Sequence, residues 1–67
     1  MTNLNMLKGK LKEKNKTYNE CAAELGISTT SFNEKMNGKS RFKVEEAQVL
    51  SNFISLSENE RIAIFLA

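Results

Sequence analysis

Between residues 29 and 43 the chain sets short hydrogen-bonding side chains beside a run of cations. Thr29, Thr30, Ser31, Asn33 and Glu34 offer donors and acceptors on short stems; Lys35, Lys39, Arg41 and Lys43 follow. Amides, hydroxyls and carboxylates of this kind pair with polar edges, and lysine and arginine pair with anions such as phosphate. That is recognition chemistry. The parts for making and breaking bonds are missing: the 67 residues contain no histidine and no aspartate, and Cys21 is the single cysteine. No nucleophile–base pair or metal cluster can be assembled from them, and nothing sets two glutamates in an apolar pocket. We therefore expect no enzyme, no metal and no cofactor.

Two short helices must hold these side chains. Thr17 and Glu20 stand at capping-box spacing, which starts the first helix by satisfying N–H groups that lack an acceptor within it. Tyr18, Cys21, Ala22 and Leu25 then recur at i, i+3, i+4 and i+7, one apolar stripe. Gly26 supplies the positive φ that ends this helix abruptly. Ile27 plugs the corner, and Ser28 caps a second helix whose inward pair is Phe32 and Met36. Asn37-Gly38 ends it. A step of about 100° per residue then turns Thr30, Asn33, Glu34 and Asn37 outward. Two helices across a short glycine-containing turn make a helix-turn-helix, a unit that can lay its second helix in the DNA major groove.

The remaining chain reads as three more helices. Leu4, Leu7 and Leu11 stripe a first helix over 4–14, with Gly9 costing it about 1 kcal/mol against alanine. A helix over 44–54 would bury Val44, Ala47, Leu50 and Phe53 or Ile54, with Phe42 turned inward before it and Glu45 and Glu46 at its positive end. Ser57 and Glu60 form a second capping box and open a last helix over 58–67, apolar almost all round from Ile62. That end is either a core helix or a partner interface: Ile62, Phe65 and Leu66 suit a dimer contact and equally suit closing the monomer's own core. The expectation is one all-α domain over 1–67 with five helices.

Charge is laid out in blocks. Residues 1–16 hold five lysines against one glutamate, and residues 35–43 hold three lysines and an arginine with no acid. They flank the two-helix unit as a phosphate-gripping footprint would. Cys21 lies on the apolar stripe and reads as a buried, inert thiol. No secretory pattern opens the sequence, and its longest apolar run, 62–67, is far short of the roughly 20 residues of a membrane span. A soluble, cytoplasmic protein is expected.

The run Ala22-x-x-Leu25-Gly26-Ile27-Ser28-x-x-x-Phe32, followed by Asn37-Gly38-Lys39, resembles the helix-turn-helix of the lambda-repressor-like (Cro/C1-type) family. The segments TTSFNEKMNGKSRF and LSENERIAIF look like small repressor-type proteins of temperate phages of Gram-positive bacteria. This resemblance implies a five-helix DNA-binding domain acting in a bacterial host cell. It implies base contacts from Thr29, Thr30, Ser31, Asn33 and Glu34. Two positions depart from the pattern: Lys35 replaces a buried aliphatic residue, and Lys43 replaces a Ser, Thr or Asp cap. The Lys35 stem would lie along the core and its ammonium snorkel toward phosphate.

Phosphate positioning is expected from Asn19 at the start of the second helix and from Lys16, Lys35, Asn37, Lys39, Ser40, Arg41 and Lys43, with Lys8, Lys10, Lys12 and Lys14 weaker candidates. A small domain reading four or five base pairs needs a partner copy. The expected target is thus a pseudo-palindromic double-stranded operator, bound by a homodimer with half-sites about 34 Å apart. The competing expectation is a protein-interaction module on the same scaffold, antirepressor-like, that binds a repressor and not DNA.

Overall fold

The computed structural model describes residues 2–66 and contains five helices and no strand among them: α1 (Leu4–Glu13), α2 (Tyr18–Leu25), α3 (Thr29–Met36), α4 (Val44–Phe53) and α5 (Glu58–Phe65). Local side-chain chemistry starts each one. Asn3 Oδ1 accepts from the Met6 N–H at 3.1 Å, and Ser28 Oγ accepts from the Ser31 N–H at 3.0 Å. Both capping boxes form in full: Thr17 with Glu20 at 3.1 and 2.9 Å, and Ser57 with Glu60 at 3.1 and 2.9 Å. Only α4 lacks a side-chain cap of that kind; there the Glu46 carboxylate accepts from the Lys43 N–H at 2.8 Å.

The first four helices stop in the same way. In each, one residue turns left-handed, and its own N–H and that of the next residue reach back to the last carbonyls, the pairing of a Schellman motif. The left-handed residues are Asn15 (φ 57°), Gly26 (φ 71°), Gly38 (φ 80°) and Ser55 (φ 55°). After α2, for example, Ile27 N–H bonds to Ala22 O at 3.0 Å and Gly26 N–H to Ala23 O at 3.2 Å. These tight stops let α2 and α3 meet across a turn of Gly26, Ile27 and Ser28 alone.

The core comprises Leu7, Leu11, Cys21, Ala22, Phe32, Met36, Leu50, Ile54 and Ile64. α2 packs on both α3 and α4, and α1 packs on α5. Through this core runs a chain of edge-to-face aromatic rings, Tyr18–Phe32–Phe42–Phe65, at centroid separations of 5.3, 6.0 and 5.7 Å. The Asn3 N–H donates to Ile64 O at 2.7 Å, tying the start of the fold to its last helix. The Lys10 ammonium bonds Glu60 and Glu13, which adds a second link between α1 and α5. Together with the Ser57 N–H, it pulls the Glu60 carboxyl down to about 2.

Three expectations are corrected. Val44 does not enter the core; it occupies the first position of α4 and is 72% exposed. The last helix ends at Phe65 and is not apolar all round toward the interior: Ile64 is buried and Phe65 half-buried, while Ile62 and Leu66 face solvent. Ala67 lies outside the described residues. The first helix ends at Glu13, with Lys14 as its cap. Gly9 is exposed and a Cβ there would meet nothing within 4 Å, so no close helix approach requires it. Gly9→Ala should accordingly raise stability by about 1 kcal/mol in a denaturant melt; an unchanged or lowered midpoint would mean that this residue has a packing role after all.

Candidate nucleic-acid interface

With Phe32 and Met36 fully buried, α3 turns its other side outward. Thr29, Thr30, Asn33, Glu34 and Asn37 are exposed there, and Ser31 is half-exposed. Ser31 Oγ accepts from the Ser28 hydroxyl at 3.0 Å, so it belongs to the cap as much as to the surface. The Thr29 hydroxyl donates to Asn19 Oδ1, bridging the first turns of α2 and α3. That bond leaves the Thr29 oxygen able to accept and the Asn19 amide hydrogens able to donate to an anion.

At the start of α2 the capping box already takes the Thr17 and Glu20 N–H groups. Hydrogen bonds from the Thr17 N–H and hydroxyl hold the Glu20 carboxyl below its ordinary value. An anion arriving there would meet this carboxylate, so Asn19 rather than the helix terminus carries the positive-donor chemistry. Lys16, just before α2, is half-buried, and its ammonium stands 4.6 Å from the centre of the Phe53 ring.

The segment between α3 and α4 presents Asn37, Lys39, Ser40, Arg41 and Lys43, all exposed. Among the described residues, no ion pair or side-chain hydrogen bond within the chain engages the side chains of Lys39, Ser40, Arg41 or Lys43. Their cations stay available to an external anion. On α1, Lys8 and Lys12 are likewise exposed, whereas Lys10 is committed to Glu60 and Glu13.

Lys35 is the correction within this set. Its ammonium does not snorkel outward. The residue is 8% exposed, and Nζ donates to the Arg41 carbonyl at 2.9 Å and pairs with Glu46 Oε1 at 3.1 Å, with the Phe42 ring 6.0 Å away. An isolated buried ammonium would be expelled or neutralised; a carboxylate and a carbonyl within reach make burial tolerable. Lys35 is thereby removed from the residues that can touch phosphate. Glu46 is the residue that sequence reasoning missed in this role. Burial alone would raise its carboxyl, but the Lys43 N–H and the Lys35 ammonium outweigh that and hold it below the usual carboxylate value.

The three residues weighed for a dimer contact separate. Phe65 is half-buried against Phe42, whereas Ile62 is 43% and Leu66 67% exposed. Leu66 shares a surface groove with Val44, Ala47, Phe42 and Phe65. Cys21 is buried and its thiol is pushed up to about 11, by burial first and by the Glu20 charge next, which leaves it unreactive at neutral pH. Among the described residues, no group of three or more Cys, His, Asp or Glu could hold a metal ion, and no helix is long and apolar enough to cross a membrane. No known family model, curated protein or solved structure matches this chain.

Proposed function

We propose that this chain binds double-stranded DNA sequence-specifically, as a lambda-repressor-like regulator of the phage repressor or Cro type acting in the bacterial cytoplasm, with α3 in the major groove. The observation that carries this reading is the outer face of α3, short-chained and polar, followed by Lys39, Arg41 and Lys43, whose cations have no ion-pair partner among the described residues. A face serving solubility alone would more often be rich in glutamate and lysine. Here the groove-facing chemistry is Asn33, which can pair bidentately with adenine; Thr30 and Thr29, whose methyls fit the thymine methyl; and Glu34, which can accept from cytosine N4. Ser31, half-exposed at the first turn, lies at the margin of that set. Asn19, Lys16, Asn37, Lys39, Ser40, Arg41 and Lys43 would fix the register on phosphates.

A single domain of this size reads too few base pairs for a genomic target, so the proposal includes a homodimer on a pseudo-palindromic operator. Ile62 and the groove holding Val44 and Leu66 supply exposed apolar surface for it. The same surface also suits an antirepressor-like module that binds a repressor. DNA affinity separates the two.

Selection of bound sequences from a random duplex library, followed by Thr30→Ala and Asn33→Ala, tests the assignment. Each variant should lose about 1–3 kcal/mol on the selected sequence while non-specific affinity holds. Equal losses on every duplex would show that these residues do not read bases.

A further inference from the structure

We infer that the buried Lys35–Glu46 pair is a positioning device, a clamp that holds the loop between α3 and α4 in the shape that brings Lys39, Ser40 and Arg41 to the phosphate backbone; this rests on the DNA-binding reading above. Two backbone attachments converge on one ion pair. Lys35, in the last turn of α3, donates to the Arg41 carbonyl at 2.9 Å and to Glu46 Oε1 at 3.1 Å. Glu46, in the first turn of α4, accepts from the Lys43 N–H at 2.8 Å through that same oxygen. Both sides of Phe42 are therefore pinned at the backbone, and the ring between them packs on Phe32 and Phe65.

The arrangement directs side chains as well as backbone. With the Arg41 carbonyl drawn inward to the ammonium, the Arg41 side chain stands in solvent, as do Lys39, Ser40 and Lys43. At the start of the loop, the Lys39 N–H bonds to Glu34 O at 2.9 Å and the Gly38 N–H to Lys35 O at 3.3 Å, so that end is already fixed by α3. At its far end the Lys43 carbonyl caps α4, accepting from the Ala47 N–H at 2.9 Å; between the two ends the Arg41 carbonyl is held by the Lys35 ammonium. The side chains of Lys35 and Glu46 are only 9% and 12% exposed, an expensive place for two charges. An apolar pair of similar volume would fill the space; it would not hold the Arg41 carbonyl and the Lys43 N–H. Pre-set cations need not be ordered when DNA arrives; in a loop without the clamp the ordering cost outweighs what an exposed phosphate contact returns, and those contacts are lost.

The test compares the parent chain with Lys35→Met/Glu46→Leu, which removes the pair as a unit and keeps its packing volume. The isosteric Glu46→Gln serves as a second probe: it keeps the acceptor for Lys43 but strands the Lys35 ammonium, so it should melt well below the parent and is read below its own melting point. Thermal melts, backbone relaxation of residues 38–43 in the free protein, and the salt dependence of affinity for a mixed-sequence duplex are read for each. The double variant should melt near the parent, show a more mobile 40–43 segment and flatten the salt slope by about two units, as expected when roughly two phosphates are no longer neutralised. Glu46→Gln should flatten it by about one unit. A parental slope and a parental loop in both variants overturn the clamp while leaving the DNA-binding reading intact. A parent chain with no duplex affinity overturns that reading and the clamp's role with it.

Discussion

Ala22→Glu should leave the chain unfolded at 25 °C, whereas Ala23→Glu, one residue further along α2, should melt like the parent. Ala22 is 2% exposed and sits in the core that α2 shares with α3 and α4. A glutamate there is too large for the site and brings a charge with no partner. An uncompensated buried charge costs about 3–5 kcal/mol, and a single core in a domain this small supplies roughly 3–5 kcal/mol of stability. The two figures cancel. Ala23 points to solvent, where substitutions stay within about 0.5 kcal/mol. Circular dichroism of the two variants against temperature decides the matter. A parental melt for Ala22→Glu would mean that α2 does not pack through that face, and the outward side of α3 would then be wrongly assigned as well.

The second large effect is electrostatic. Lys39→Glu/Arg41→Glu should fold with parental stability, because both side chains are exposed and make no ion pair among the described residues. Its affinity for any duplex should fall by a hundredfold or more near 0.1 M salt, since about two counterion-releasing contacts are replaced by two repulsions. The loss should be the same on the selected operator and on unrelated sequence, because phosphate contacts carry no base information. Fluorescence anisotropy with labelled duplexes measures it. Retained affinity would remove the basic loop from the interface; retained partner binding by a chain with no DNA affinity would favour the antirepressor-like reading.

The helix starts were legible because their chemistry is local. Thr17 with Glu20, Ser28, and Ser57 with Glu60 each satisfy N–H groups two or three residues away, so the residue types alone mark the spot. Gly26 and Gly38 were legible as stops for the same reason. Asn15 and Ser55 adopt the same left-handed geometry, at φ 57° and 55°, without a glycine to announce it. Their conformation follows from the closure of the helix above them, not from a preference of serine. Val44 shows the limit of periodicity: its spacing matches the apolar stripe, but in the first turn of α4 no neighbouring helix covers it.

At the candidate interface the outward positions of α3 followed from the inward pair Phe32 and Met36, a short-range deduction. Lys35 did not, because its partner Glu46 belongs to another helix across an intervening loop. Nothing in a lone lysine on an apolar stripe distinguishes an ammonium turned to solvent from one turned to a carboxylate. The last helix divides for a related reason. Ile62, Ile64, Phe65 and Leu66 are equally apolar, and only the packing of α1 and Phe42 decides which of them is covered.

The most direct measurement is the affinity of the unmodified chain for a mixed-sequence duplex as salt is raised from low to physiological concentration. With Lys16, Lys39, Arg41 and Lys43 as the phosphate-facing cations of each copy, the logarithm of the association constant should fall against the logarithm of salt with a slope of about −3 to −4 per copy bound. No detectable binding at the lowest salt, or an affinity indifferent to salt, would contradict DNA as the target of this surface.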